Sequence, residues 1–183
     1  MQFVCLHECC FAANCIPLLI QQNVDGSNFF NRSWAEFKVG FNDSRGNYWL
    51  GNELLHQLTS TNNYKLRFDL RETGGSHSWY GAEYNTFVVS DEASNFRLQV
   101  AGYSGNTGFD ALGWSSGYMF TTYDRDNDQR ASANCAVRTG GGFWYRDCAY
   151  CSVNTVRGRF NDFRWWNGSR DIKLQTTRMW LTC

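Results

Sequence analysis

Apolar side chains in this chain change their spacing partway along. Beyond Asn62-Asn63 they fall on alternate positions: Leu66, Phe68 and Leu70 are separated by charged residues, and Phe96, Leu98 and Val100 by polar ones, the period of a half-buried strand. Trp79–Tyr84, Phe87–Val89, Tyr118–Tyr123 and Ile172–Met179 are further predicted strands. Ahead of Asn62 the spacing is helical. Ser33-Trp34-Ala35-Glu36 is a capping-box pattern, Trp34, Phe37 and Phe41 then lie near one helical face, and Gly40 is placed to end the turn. A second short helix is predicted over Asn52–Leu58, with Leu54, Leu55 and Leu58 as its apolar stripe and Asn52 as its cap. Two helices ahead of a mostly antiparallel sheet make an α+β arrangement. Ser104–Gly113 is glycine-rich and reads as loop, and no internal repeat is present.

Composition narrows the function. With 183 residues, 43% hydrophobic, the chain can bury one sizeable core, so one domain is expected. Its 17 basic and 17 acidic residues cancel, which leaves neither the electrostatic footprint of a nucleic-acid binder nor that of a polybasic membrane binder. No apolar run reaches the about 18–20 residues that a membrane span needs. The eight cysteines form two groups, Cys5, Cys9, Cys10 and Cys15 near the start and Cys135, Cys148, Cys151 and Cys183 late. An oxidising, extracellular compartment is the simplest reading. Sequons at Asn31, Asn42 and Asn167 point the same way. Met1–Ile20 makes a poor signal peptide, because it lacks a basic start and His7 and Glu8 interrupt its apolar segment. Residues 1–19 therefore read as a divergent Cys-rich remnant and 20–183 as a domain incomplete at its start.

The chemistry concentrates in Tyr123–Cys148. Asp124, Asp126 and Asp128 alternate on a turn and supply the hard oxygen ligands that calcium prefers. This is not an EF-hand, since Gln129 stands where that loop needs glycine and Cys135 where it needs glutamate. Cys135 and Cys148 could close a small loop. Gly140, Gly141 and Gly142 precede Phe143-Trp144-Tyr145, a backbone that bends beside rings. Enzymatic patterns fail on their context. Gly113-Trp114-Ser115-Ser116-Gly117 matches a nucleophile elbow, but a strand pattern follows it and no histidine lies beyond Ser115. Cys148-Ala149-Tyr150-Cys151 is a lone CxxC without a second pair or a nearby histidine for zinc. His7, His56 and His77 form no metal-binding pair.

The order of motifs resembles the fibrinogen C-terminal-like domain. The matching segments are Ile20–Phe41, Gly46–Thr59, Tyr64–Glu72, Phe120–Asp128, Asn134–Ala136 and Gly141–Cys148, with Leu174–Leu181 a looser match. The resemblance implies a non-enzymatic, secreted recognition module with a central sheet and a loop-rich C-terminal calcium and ligand subdomain. It implies Asp126 and Asp128 as carboxylate ligands of calcium, joined by two backbone carbonyls. Counted from Asp128 these belong to Arg130 and Ser132; counted back from Cys135 they belong to Ala131 and Ala133. Asp124 takes a structural role. It further implies a Cys135–Cys148 disulfide, with an additional Cys151–Cys183 bridge expected beside it. A cis Asp147–Cys148 bond would aim the Cys148 amide at a ligand. Asp147, Cys148, Ala149 and Tyr145 would then form the ligand site, with Phe143 and Trp144 lending rings. Ala149 replaces the family's pocket histidine, and the following loop is shorter than usual. The function implied is an innate-immune lectin for acetylated glycans, the alternative being a receptor- or matrix-binding module of the same fold. Oligomerisation would use a segment absent from this chain.

Overall fold

A computed structural model describes residues 16–74, 78–160 and 162–183. Cys5, Cys9, Cys10, Cys15, His7, His77 and the N-terminal remnant lie outside the described residues, apart from its last few positions. In chain order the elements are strand β1 (Leu18–Asn23), helix α1 (Trp34–Val39), β2 (Phe41–Asn42), β3 (Tyr48–Trp49), α2 (Asn52–Thr61), β4 (Lys65–Glu72) and β5 (Trp79–Val89). There follow β6 (Leu98–Gly105), β7 (Phe120–Thr121), α3 (Cys135–Thr139), β8 (Phe143–Trp144), β9 (Cys151–Ser152), β10 (Arg164–Trp166) and β11 (Asp171–Thr182). The main sheet runs β2-β3-β1-β11-β4-β5-β6, and its neighbours are antiparallel. β10 joins β11 to β9, and β7 pairs with β8 on its own. The α+β expectation holds.

Helix α1 forms as its sequence dictates. Ser33 accepts from the Glu36 amide and Glu36 reaches back to the Ser33 amide, closing the capping box. Helix α2 differs from expectation: it extends to Thr61 and its cap is Gly51, not Asn52. Gly51 has φ of 109°, and a Cβ there would meet the Val39 carbonyl carbon at 2.8 Å. Asn52 instead turns inward, its Oδ1 accepting from Trp49 Nε1 at 3.2 Å.

Period-two alternation carries through β4, where Leu66, Phe68 and Leu70 are fully buried. The two predicted segments Trp79–Tyr84 and Phe87–Val89 are one strand, broken in pattern only where Asn85 and Thr86 are both exposed. Phe96 sits outside β6, in a left-handed conformation with φ of 48°. Tyr118–Tyr123 shrinks to Phe120–Thr121, because Thr122 and Arg125 exchange backbone hydrogen bonds and turn the chain. Strand β1, unforeseen, begins ahead of Ile20 and pairs with β11 from Leu18↔Leu181 to Asn23↔Thr177. Beneath the sheet, Phe37, Trp49, Phe120 and Trp144 pack ring on ring with centroids 5.0–6.0 Å apart. That aromatic cluster is the floor on which the C-terminal loops rest.

Candidate functional site

Strands β7 and β8 bring the two ends of the acidic stretch together through Phe120↔Trp144 and Thr121↔Phe143. The loop between them is tied at almost every residue. Asp124 Oδ1 accepts from Thr122 Oγ1 at 2.7 Å and from the Trp34 amide at 2.9 Å, so its carboxylate binds the first turn of α1, where negative charge is favoured. The structural role expected for Asp124 is what the molecule shows. Asn127 Nδ2 donates to the Phe120 carbonyl at 2.8 Å, and the Gln129 amide to the Arg146 carbonyl at 2.8 Å. Helix α3 is capped by Asn134, whose side chain accepts from the Val137 amide. Cys135 and Cys148 are joined, their Cα atoms 5.4 Å apart. Replacing both by serine is expected to lower stability by about 3 kcal/mol. The check is a urea midpoint that falls in the double variant and responds less to reductant than that of the parent, the Cys183 bridge being common to both.

Two further carboxylates sit on this loop, Asp126 exposed and Asp128 half-buried. Asp128 Oδ1 accepts from the Arg130 amide at 2.8 Å and Oδ2 from the Cys135 amide at 2.7 Å. Asp126 is exposed, and its Oδ1 accepts from the Asp128 amide at 3.3 Å. Burial pushes the Asp128 carboxyl up to about 6 against those two amide donors, and the charge of Asp126 adds to the rise. A cation beside the pair would oppose both causes by favouring the ionised carboxylates. Among the described residues no group of three or more His, Cys, Asp or Glu side chains gathers as a metal cluster. The hard-oxygen donors here are thus the two carboxylates and the neighbouring carbonyls, a set that fits calcium and not a soft metal. The Arg130 carbonyl takes a hydrogen bond of 3.3 Å from the Ala133 amide. Ala131 and Ser132 are exposed.

The other half of the expected site is rearranged. Asp147 is exposed and its Oδ1 accepts from Arg130 at 2.6 Å, while Cys148 and Ala149 are buried. Tyr145, expected at the ligand, is fully buried. Its hydroxyl donates to the Gly141 carbonyl at 2.7 Å and meets Thr139 Oγ1 at 2.8 Å. Phe143 and Trp144 are equally enclosed, so all three rings serve the core. The Asp147–Cys148 bond is trans, contrary to expectation, as no peptide bond among the described residues is cis. The Arg146 amide donates to the Cys148 carbonyl at 2.9 Å, closing the turn in that form. The Cys151–Cys183 bridge is also corrected. Cys151 is a free buried thiol in β9, burial holding it well above the usual thiol range, whereas Cys183 is disulfide-bonded elsewhere.

Sequence reasoning missed the side chains that do line this surface. Tyr150 sets its edge against Phe109 and Trp114, with centroids 5.6 and 5.0 Å apart, and the Arg146 guanidinium lies 4.2 Å over the Trp114 ring. Trp114 and Tyr123 are 38% and 45% exposed. Trp114 belongs to the elbow-like pattern Gly113–Gly117. That pattern is a short 3-10 turn, Gly113–Ser115, with Ser115 fully buried. Also missed was Asn154, which joins Gln21 Nε2 at 3.0 Å to the Gly142 carbonyl at 3.0 Å and so ties β1 to the glycine run. Of the sequon asparagines, Asn31 and Asn42 are exposed, while Asn167 is half-buried and accepts from the Ser169 and Arg170 amides.

Residues 12–181 match the family described as "Fibrinogen beta and gamma chains, C-terminal globular domain". The chain belongs to this family. It is 36% identical over 169 residues to angiopoietin-4 of Bos taurus, covering 88% of this chain and 33% of that protein. It is 39% identical over 137 residues to human ficolin-3, covering 75% and 45%. The chain thus spans less than half the length of these relatives. The fibrinogen-like globe domain of human ANGPTL2 superposes with a TM-score of 0.79 at 34% identity, covering 89% of this chain and 78% of that one. Membership places this fibrinogen-like domain among recognition modules and not among enzymes. Among the described residues no helix is long and apolar enough to cross a membrane.

Proposed function

We propose that this domain is a secreted, calcium-binding recognition module that presents the Tyr123–Tyr150 loops to an acetylated glycan. The observation that carries the reading is the pair Asp126 and Asp128, held on a loop braced by the Cys135–Cys148 disulfide, where burial and the charge of Asp126 disfavour the Asp128 carboxylate that a bound cation would stabilise. The disulfide supports an oxidising, extracellular compartment. Arg130 and Ser132, or Ala131 and Ala133, lend the carbonyls.

Passage of the calcium-loaded protein over N-acetylglucosamine resin tests the whole reading. Retention released by EDTA and by free sugar, and lost in Asp128→Asn, is the expected result. A folded protein whose melting temperature rises with calcium but which flows through the resin would retain the metal half of the reading and end the glycan half.

One observation favours a second reading, a protein-binding module on the same loops. Trp114, Tyr150 and Arg146 form a ring-and-guanidinium surface of the composition that anchors protein interfaces, next to the buried Cys148 and Ala149.

A further inference from the structure

The outward face of the main sheet, away from the calcium loop, carries a second set of recognition groups. Cross-strand register fixes their places. In one row Trp79 of β5 lies beside Arg71 of β4; in the next Gly81 lies beside Asp69, which lies beside Arg178 of β11; in the third Glu83 lies beside Arg67, which lies beside Trp180. Ideal strand spacings put the two tryptophan positions about 17 Å apart across this grid. Two adjoining open grooves of about 370 and 330 Å³ occupy it, sharing Arg67 and Asp69, one reaching Trp79, Gly81 and Arg178 and the other Trp180.

The charges here are unevenly matched. Asp69 is spent on Arg67 at 2.8 Å and on Trp180 Nε1 at 2.9 Å. Arg71 and Arg178 have no carboxylate within ion-pair distance among the described residues. Arg178 Nε donates only to Gln22, and Arg71 Nε is buried without an acceptor. Arg71 lies 5.8 Å from the Trp79 ring, which is 50% exposed. Gly81 is the third observation. Glycine inside a strand weakens it unless something must approach closely, yet here an added Cβ would meet nothing nearer than the Phe68 carbonyl at 3.8 Å. The backbone does not require glycine, and its one structural consequence is the open groove floor.

We propose that this face binds an acidic saccharide, laid over Gly81 between Trp79 and Trp180, with its anionic groups on Arg71 and Arg178. The guanidinium fork suits a planar oxyanion, and the flanking indoles offer flat apolar faces to sugar rings. The site owes nothing to calcium, so it stands or falls separately from the reading above.

The test is heparin affinity chromatography in EDTA, where calcium-dependent binding is absent, with a heparin-derived hexasaccharide titrated in solution. The full chain is expected to be retained. Arg71→Gln and Arg178→Gln are each expected to weaken hexasaccharide binding by about tenfold. Arg97→Gln, the same charge change elsewhere on the surface, is expected to leave it unchanged. Gly81→Val is expected to abolish binding while leaving the melting temperature at or above that of the parent, which separates a filled groove from a damaged fold. Flow-through of the parent protein overturns the proposal, as does equal weakening by Arg97→Gln, full binding by Gly81→Val, or tighter binding to duplex DNA than to the hexasaccharide.

Discussion

Gly141→Ala is expected to destabilise the domain by about 3 kcal/mol or more, a large fraction of the about 5–15 kcal/mol that holds a domain folded. A Cβ at Gly141 would lie 1.8 Å from the Asn154 carbonyl oxygen, a clash of backbone on backbone that no side-chain rotation relieves. Asn154 has nowhere to retreat. Its side chain is fixed between Gln21 Nε2 and the Gly142 carbonyl, and the preceding Val153 carbonyl accepts from both Gln21 and Asn23. Moving it leaves buried amide groups of β1 unsatisfied, at about 1–3 kcal/mol each. Gly158→Ala is the matched control. It has φ of 81° but nothing within 4 Å of the added carbon, so its cost is the left-handed backbone alone, about 1–2 kcal/mol. Urea midpoints of the two variants decide the matter. A Gly141→Ala protein no less stable than Gly158→Ala would remove the Asn154 contact from the argument.

The same region shows which parts of the fold were legible in sequence. Local devices were readable because their partners lie a few residues apart: the Ser33–Glu36 capping box closes within one turn, and the alternation of Leu66, Phe68 and Leu70 needs only one face to be buried. Strand β1 was hidden for the opposite reason. Gln21 and Asn23 are polar yet fully buried, which erases the apolar pattern, and they are satisfied by Val153, Asn154 and Thr177, well over a hundred positions later. Of the acidic loop, Asp124 takes the structural role its sequence suggested, accepting from Thr122 and from the Trp34 amide. Tyr145 was not. Nothing in a Phe-Trp-Tyr run says which rings will face outward, and here Thr139 and the Gly141 carbonyl offered its hydroxyl a buried partner, which let the whole side chain sink. Trp114 went unread because its partner Tyr150 is joined to it by tertiary packing alone.

Trp144→Ala is expected to cost about 3–5 kcal/mol, and to do so by loosening both halves of the candidate site together. Trp144 is fully buried, its ring 5.2 Å from Phe120, 6.0 Å from Trp49 and 6.2 Å from Phe87. It is therefore the point where the acidic loop and the main sheet share one core. Its Nε1 donates to the Phe96 carbonyl at 2.7 Å, and Phe96 holds a left-handed backbone that this bond helps to fix. Trp144→Phe divides the two effects: it keeps most of the packing and loses the indole donor, leaving a buried carbonyl unpaired at about 1–3 kcal/mol. Because Trp144 pairs with Phe120 across β7 and β8, the alanine variant should release the segment that follows β7. Hydrogen exchange checks this at the Asn127 amide, which donates to Thr121 Oγ1 at 3.2 Å, and at the Gln129 amide, which donates to Arg146. Both should lose protection beyond what the drop in global stability explains, while amides of β4 and β5 should lose only the global share. Uniform loss everywhere would mean that Trp144 stabilises the domain without specifically bracing the loop.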